Sequence, residues 1–125
     1  MKLISSSEML LMKCIWDAKE ELSIPQLIEM ILVQYGKEYK RTTVVTFLTR
    51  LQEKGYVKTY RKGRLSYVSA VCSEEKYKAS IASKYTHSWF EGRPSSYLSA
   101  LIEEEGITKE EVARIRRLLD ELDDE

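Results

Sequence analysis

The chain has 125 residues, 20 Lys and Arg against 20 Asp and Glu for a formal net charge of zero, and is 43% hydrophobic and 32% charged. That leaves room for one domain or two small lobes of a folded protein and excludes a disordered chain. No window approaches the roughly 20 consecutive apolar residues of a membrane span, and MKLISSSEML lacks the long apolar run of a signal peptide, so a cytoplasmic location is expected.

A first helix is predicted from Ser5, where Ser5 and Glu8 form a capping box and Leu11, Met12, Ile15 and Trp16 recur at helical spacing, with Trp16 as a core anchor. Cys14 falls within this apolar pattern and Cys72 follows a strand pattern, so both read as reduced, buried small hydrophobes rather than a disulfide framework. A second helix starts at Ser23, with Pro25 in its first turn and Gln26 completing another capping box. Its buried face is Leu27, Ile28, Ile31 and Leu32, and Gly36 breaks it.

The stretch from Lys40 to Val57 reads as a third, amphipathic helix closed by Gly55, with Val44, Phe47, Leu48 and Leu51 inward and Thr42, Thr43, Thr46 and Arg50 on a polar face. Val57 to Arg61 and Leu65 to Ala70 alternate in polarity around Lys62-Gly63 and pair most simply as a hairpin. Three helices followed by a two-stranded ribbon make a winged helix, in which the third helix is the one that reads bases.

The balanced total hides a division of charge. From Lys37 to Arg64 nine Lys or Arg face only Glu38 and Glu53, a net of plus seven, whereas from Glu103 to Glu125 four cations face ten carboxylates, a net of minus six. Such an asymmetry points to one region meeting a polyanion and another facing solvent. Several Thr on one exposed helix face are poor choices for helix propensity alone, and a hydroxyl-rich face with an Arg suits the major groove. The candidate DNA-binding residues are therefore Lys40, Arg41, Thr42, Thr43, Thr46, Arg50, Lys54, Arg61, Lys62 and Arg64, with the threonines reading bases and the cations holding phosphates.

Beyond Ser73 the pattern is helical throughout. Ser73 caps a fourth helix with Glu74 and Glu75 in its first turn, and Tyr77, Ile81, Tyr85 and Trp89 recur every four residues until Glu91-Gly92-Arg93-Pro94 ends it. A fifth helix carries Tyr97, Leu98, Leu101 and Ile102. A sixth opens with a capping box at Thr108 and Glu111 before Val112, Ile115, Leu118, Leu119 and Leu122. So short a lobe cannot bury this apolar surface by itself, so a second copy of the chain is expected on Tyr77, Ile81, Tyr85, Trp89, Leu98, Leu101, Ile102, Val112, Ile115, Leu119 and Leu122.

The residues resemble the penicillinase-repressor family, which includes the methicillin-resistance repressors. The resemblance rests on Ser5 with Glu8, Met12-Lys13 and Ile15-Trp16; on Thr43-Val44, Thr46, Leu48, Arg50-Leu51 and Lys54-Gly55; and on Gly63-Arg64, Tyr67, Phe90 and Gly92. It implies a homodimeric winged-helix repressor on a dyad-symmetric double-stranded DNA operator, released by a signal that in the penicillinase type is proteolysis. A membrane sensor protease is thereby an implied partner. The family's scissile Asn-Phe pair is matched here by Ser99-Ala100, so cleavage at that bond is not expected. Copper-responsive relatives carry paired cysteines near the C-terminus, and this chain has no Cys after Cys72, so metal sensing is disfavoured.

The expected fold class is thus mainly α with a small β-ribbon: a winged helix-turn-helix domain over residues 1–72 and a helical dimerisation region over residues 73–125. No enzyme and no cofactor is expected, because the single His87 can form neither a His-paired nucleophile nor a multi-His metal site. The competing reading is a winged-helix dimer that docks an acidic protein, since a fold does not fix a function.

Overall fold

Two capping boxes start the first two helices of the computed structural model, which describes residues 2–124. Ahead of α1 (Ser6–Ala18), the Ser5 hydroxyl accepts from the Glu8 N–H at 3.2 Å while the Glu8 carboxylate accepts from the Ser5 N–H at 2.8 Å. Ser23 and Gln26 repeat the exchange ahead of α2 (Ile24–Tyr35), at 3.2 and 2.9 Å, and α2 closes on Gly36 in the left-handed conformation. Leu32 faces outward, one position round from the buried Ile31. The third helix, α3 (Arg41–Glu53), starts at Lys40 without a capping side chain and ends at Gly55, whose φ of +87° favours glycine.

The ribbon is a three-stranded antiparallel sheet in the order β1-β3-β2, with β1 at Leu22–Ser23, β2 at Val57–Lys62 and β3 at Leu65–Ala70. Leu22 and Ser23 pair with Val68 and Tyr67, and the hairpin register runs from Val57↔Ala70 to Lys62↔Leu65. The turn is therefore Gly63-Arg64, one residue later than the sequence suggests, and the positive φ at its first position, +63°, is what a glycine-first hairpin turn requires. A two-residue strand has no periodicity to read, and Ser23 serves both as its last residue and as the cap of α2.

The core gathers Leu11, Met12 and Ile15 of α1, Leu27 and Ile31 of α2, Val44, Leu48 and Leu51 of α3, and Tyr56, Val57 and Val68 around the sheet. The fourth helix, α4 (Glu74–Phe90), contributes to it as well. Tyr77 is buried, its ring edge-on to Tyr56 at 5.4 Å and 5.9 Å from Trp16, and its hydroxyl accepts from the Ile4 N–H at 2.9 Å. Ile81 packs against the same cluster. Tyr77 and Ile81 therefore belong to the core of the first unit rather than to a free stripe, and that unit closes at Ile81 rather than at 72. The first turns of α4 cover an apolar opening that three helices and a small sheet leave.

Trp16 donates its ring N–H to the Cys72 carbonyl at 2.8 Å. Burial pushes the Cys14 thiol up to about 11 and raises that of Cys72, so both stay protonated and unreactive near neutrality.

The second unit, from Ala82 onward, holds the rest of α4 with α5 (Pro94–Glu105) and α6 (Lys109–Asp123). Glu91 and Gly92, at φ of 53° and 75°, end α4 ahead of Pro94. The Thr108 hydroxyl accepts from the Glu111 N–H at 3.1 Å, but the Glu111 carboxylate bonds Arg114 at 2.9 Å rather than turning back to complete a capping box. No residue of α5 or α6 is buried. Among the described residues no helix is long and apolar enough to cross a membrane.

A buried carboxylate ties the start of α1 to the end of α3 in the first unit. Glu8 is 1% exposed, and Lys54 reaches it from the end of α3 with Nζ 2.6 Å from Oε1 and 3.0 Å from the Leu3 carbonyl. Burial pushes the Glu8 carboxyl up, but the Lys54 ammonium and the Ser5 N–H and hydroxyl more than offset it, leaving it below the usual carboxylate value of 4.5. A carboxylate depressed by folding adds stability above its unfolded value, and that stability is lost as pH falls through the folded one. Lys54→Met keeps the aliphatic stem and strands a buried charge, so it is expected to cost about 3 to 5 kcal/mol in urea unfolding at pH 7. The deficit should shrink at pH 4, where Glu8 of the variant takes up a proton.

Candidate nucleic-acid interface

Packing of Val44, Leu48 and Leu51 into the core turns the opposite side of α3 to solvent. That side carries Arg41, Thr42, Val45, Thr46, Thr49 and Arg50, all exposed. Thr43 is only half-exposed, on the flank shared with Phe47, whose ring meets Tyr39 edge-on at 5.6 Å and anchors the chain entering α3. Val45 and Thr49 were not singled out in the sequence, although they lie three residues beyond Thr42 and Thr46 on the same stripe.

The threonine hydroxyls are already oriented. Thr46 Oγ1 donates to the Thr42 carbonyl and Thr49 Oγ1 to the Val45 carbonyl, each at 2.9 Å. With their protons held by the backbone, these side chains offer the outside a lone pair and a methyl group. An acceptor suits the exocyclic amino groups of adenine and cytosine in the major groove, and a methyl suits that of thymine.

Between α3 and the wing runs a groove of about 370 Å³, with Arg41, Val45, Thr49 and Gln52 on the helix side and Thr59, Tyr60, Arg61 and Ser66 on the sheet side. Gln52 closes one end, its carbonyl accepting from the Thr59 N–H at 3.0 Å and the Thr59 hydroxyl at 2.6 Å. Gln52, Thr59 and Ser66 were also missed, because a groove wall formed by a long-range contact has no local sequence signal.

The ten predicted contact residues divide by what already holds them. Lys40, Arg41, Arg50 and Arg64 are exposed and have no carboxylate partner among the described residues, and the same holds for Lys58. Arg61 is exposed, with Nε donating to the Gly63 carbonyl at 3.4 Å. Lys54 is held inside by Glu8 and the Leu3 carbonyl, so its ammonium faces the protein rather than a ligand. Lys62 is shared: its ammonium bonds the Glu21 carboxylate, which raises its pKa, and lies 5.3 Å above the Tyr67 ring. Several unpaired cations flanking an acceptor-rich helix form a surface suited to a regularly spaced polyanion whose edges carry hydrogen-bonding groups.

Of the side chains expected at a contact with a second copy, Tyr85, Trp89, Leu101, Ile102, Leu119 and Leu122 are exposed. Leu98, Val112 and Ile115 are half-buried, and Leu98 and Ile115 line a cleft of about 410 Å³ with Ile107. Trp89 is 76% exposed beside an apolar trough formed with Tyr85, Phe90, Tyr97, Ala100 and Leu101. His87 Nδ1 lies 2.9 Å from the Ser83 carbonyl of its own helix.

A family model described as penicillinase repressor matches residues 4–121. The methicillin resistance regulatory protein MecI of Staphylococcus aureus strain N315 is 26% identical over 116 residues, spanning 93% of this chain and 92% of that protein. The penicillinase repressor of Staphylococcus aureus is 24% identical over 119 residues, spanning 95% of this chain and 92% of that one. Among solved structures, hsRosR-S4 shares the fold with a TM-score of 0.51 and 15% identity, covering 93% of this chain and 92% of that chain.

Proposed function

The chain belongs to the penicillinase repressor family, whose members are DNA-binding transcriptional repressors and not enzymes, and we propose that it represses as a homodimer laying one α3 into each half of a dyad-symmetric operator. The observation that carries this reading is the face of α3, where Thr42, Thr46 and Thr49 stand among Lys40, Arg41 and Arg50 with no carboxylate among the described residues to neutralise them. Thr42, Thr46 and Thr49 read bases as acceptors and methyl donors of contact, and Lys40, Arg41, Arg50, Arg61 and Arg64 hold the two phosphate strands. Thr43 supports the flank, and Lys54 acts from inside by fixing the end of α3 rather than by touching DNA.

The second copy covers the apolar surface of α4, α5 and α6. Leu122 is 66% exposed and Trp89 more so, and large exposed apolar side chains clustered as around Trp89, Tyr85 and Leu101 mark a surface that a partner covers. A two-fold pair sets its reading helices one helical turn apart, so the operator is an inverted repeat with half-sites about 34 to 36 Å between centres. The dimer works in the cytoplasm. Ser99-Ala100 lies within α5, and release does not depend on cutting that bond.

Binding to the DNA upstream of its own gene, followed by fluorescence anisotropy at several salt concentrations, tests the reading. Arg64→Ala is expected to weaken binding to every duplex and lower the salt slope by about one, whereas Thr46→Ala changes the preferred base at one position of each half-site by about 1 to 3 kcal/mol. Equal loss on all sequences for Thr46→Ala removes its base-reading role. In sedimentation the protein is expected to run as a dimer and Trp89→Asp with Leu119→Asp as a monomer of weakened affinity; a monomeric wild type overturns the dimer.

A further inference from the structure

Glu21 lies just before β1, on the far side of β3 from the wing strand β2, yet its two carboxylate oxygens both reach β2. Oε2 accepts from the Tyr60 hydroxyl and Oε1 from the Lys62 ammonium. Tyr67 of β3 lies between them: it pairs with Tyr60 across the ladder, its ring stacks on that of Tyr60 at 6.3 Å and an angle of 16°, and Lys62 sits above it. Tyr60 and Lys62 are two residues apart and so share one face of the sheet with Tyr67. On the other side of the same strand, Gln52 of α3 holds Thr59. The wing strand is thereby pinned at two points, to α3 by a neutral amide and to the segment before β1 by a charged carboxylate.

We propose that Glu21 is a specificity-determining and positioning residue for DNA binding: it holds the wing through Tyr60 and neutralises Lys62, so that the wing's attraction for phosphate is set below what its sequence would give. The inference rests on the DNA-binding reading of α3 and the wing. Phosphate affinity without sequence preference comes from cations that can release counterions. Lys62 is one such cation by sequence, but its ammonium already has a carboxylate partner and an aromatic face, so exchanging them for a phosphate gains little. The negative charge of Glu21 also stands beside any phosphate that approaches the wing tip. Both effects act on every duplex alike, so they lower attachment overall and leave the ratio of operator to non-specific binding unchanged. The Tyr60 bond keeps the hairpin oriented for the specific complex, and it is this bond that raises the ratio.

The variants Glu21→Gln, Lys62→Ala and the double substitution separate the roles, with anisotropy on the operator and on a scrambled duplex across a salt series. Glu21→Gln keeps an acceptor for Tyr60 and removes the charge. It is expected to tighten scrambled-duplex binding about five- to tenfold and to steepen the salt slope by about one. Lys62→Ala alone is expected to change either Kd less than about twofold, and in the Glu21→Gln background it should erase the gain. Glu21→Ala, which also frees Tyr60, should lose operator affinity while keeping tighter scrambled binding. An unchanged slope for Glu21→Gln, or a loss for Lys62→Ala alone as large as that of Arg64→Ala, overturns the proposal. Absence of wild-type binding to any duplex would instead overturn the DNA-binding reading beneath it. Urea midpoints of all variants within the wild-type range tie the differences to the interface rather than to folding.

Discussion

The pairing of the buried Glu8 with Lys54 is the constraint on which the outward face of α3 depends. Glu8 has a second task as the reciprocal member of the α1 capping box, so one carboxylate fixes the start of α1 and the end of α3 together. Its other oxygen, Oε2, is buried without a hydrogen-bond partner among the described residues, which makes the site intolerant of losing its cation. An apolar pair would hold two helices together as well. A charged pair adds direction, because the ammonium must meet one oxygen, and that fixes the rotation of α3 about its axis as well as its depth in the core. The rotation decides which residues face outward, and the stripe of Thr42, Val45, Thr46 and Thr49 depends on it.

The cations of the first unit serve two ends. Lys54 and Lys62 are engaged within the unit by Glu8 and Glu21, while Lys40, Arg41, Arg50, Lys58 and Arg64 have no carboxylate partner among the described residues. A net charge counted along the sequence treats all of them alike. The outward positive field comes from the second group, with Lys40 and Arg41 at the start of α3, Arg50 in its last turn, and Lys58 and Arg64 on the hairpin.

Much of this was legible in the sequence because the relevant forces are local. Capping at Ser5 and Ser23, the glycines at 36, 55 and 63, and the inward row of Val44, Leu48 and Leu51 each follow from residues within a few positions of one another. What was not legible joins distant segments. Glu8 meets Lys54, Glu21 meets Tyr60 and Lys62, and Tyr77 meets Ile4, Trp16 and Tyr56, and no periodicity predicts such partners. The stripe Tyr77, Ile81, Tyr85 and Trp89 shows the limit plainly. Its spacing is uniform, yet the first two side chains complete a core and the last two are exposed, since spacing reveals that a face is apolar and not what covers it.

In the proposed complex, affinity and sequence preference are carried by side chains of different mobility. Thr46 and Thr49 sit on a helix whose far side is locked in the core, and their hydroxyl protons are tied to the backbone, so these two side chains have little conformational freedom left to lose when a base edge arrives. Lys40, Arg41 and Arg64 are long, solvated and free to follow a phosphate backbone whose geometry varies from one sequence to another. A rigid reader flanked by mobile anchors discriminates through the first and stays attached through the second, and the salt concentration acts on the second alone. The two functions can then be altered separately: a change of base preference requires substitution on α3, whereas the strength of attachment can be adjusted at the wing without disturbing what is read.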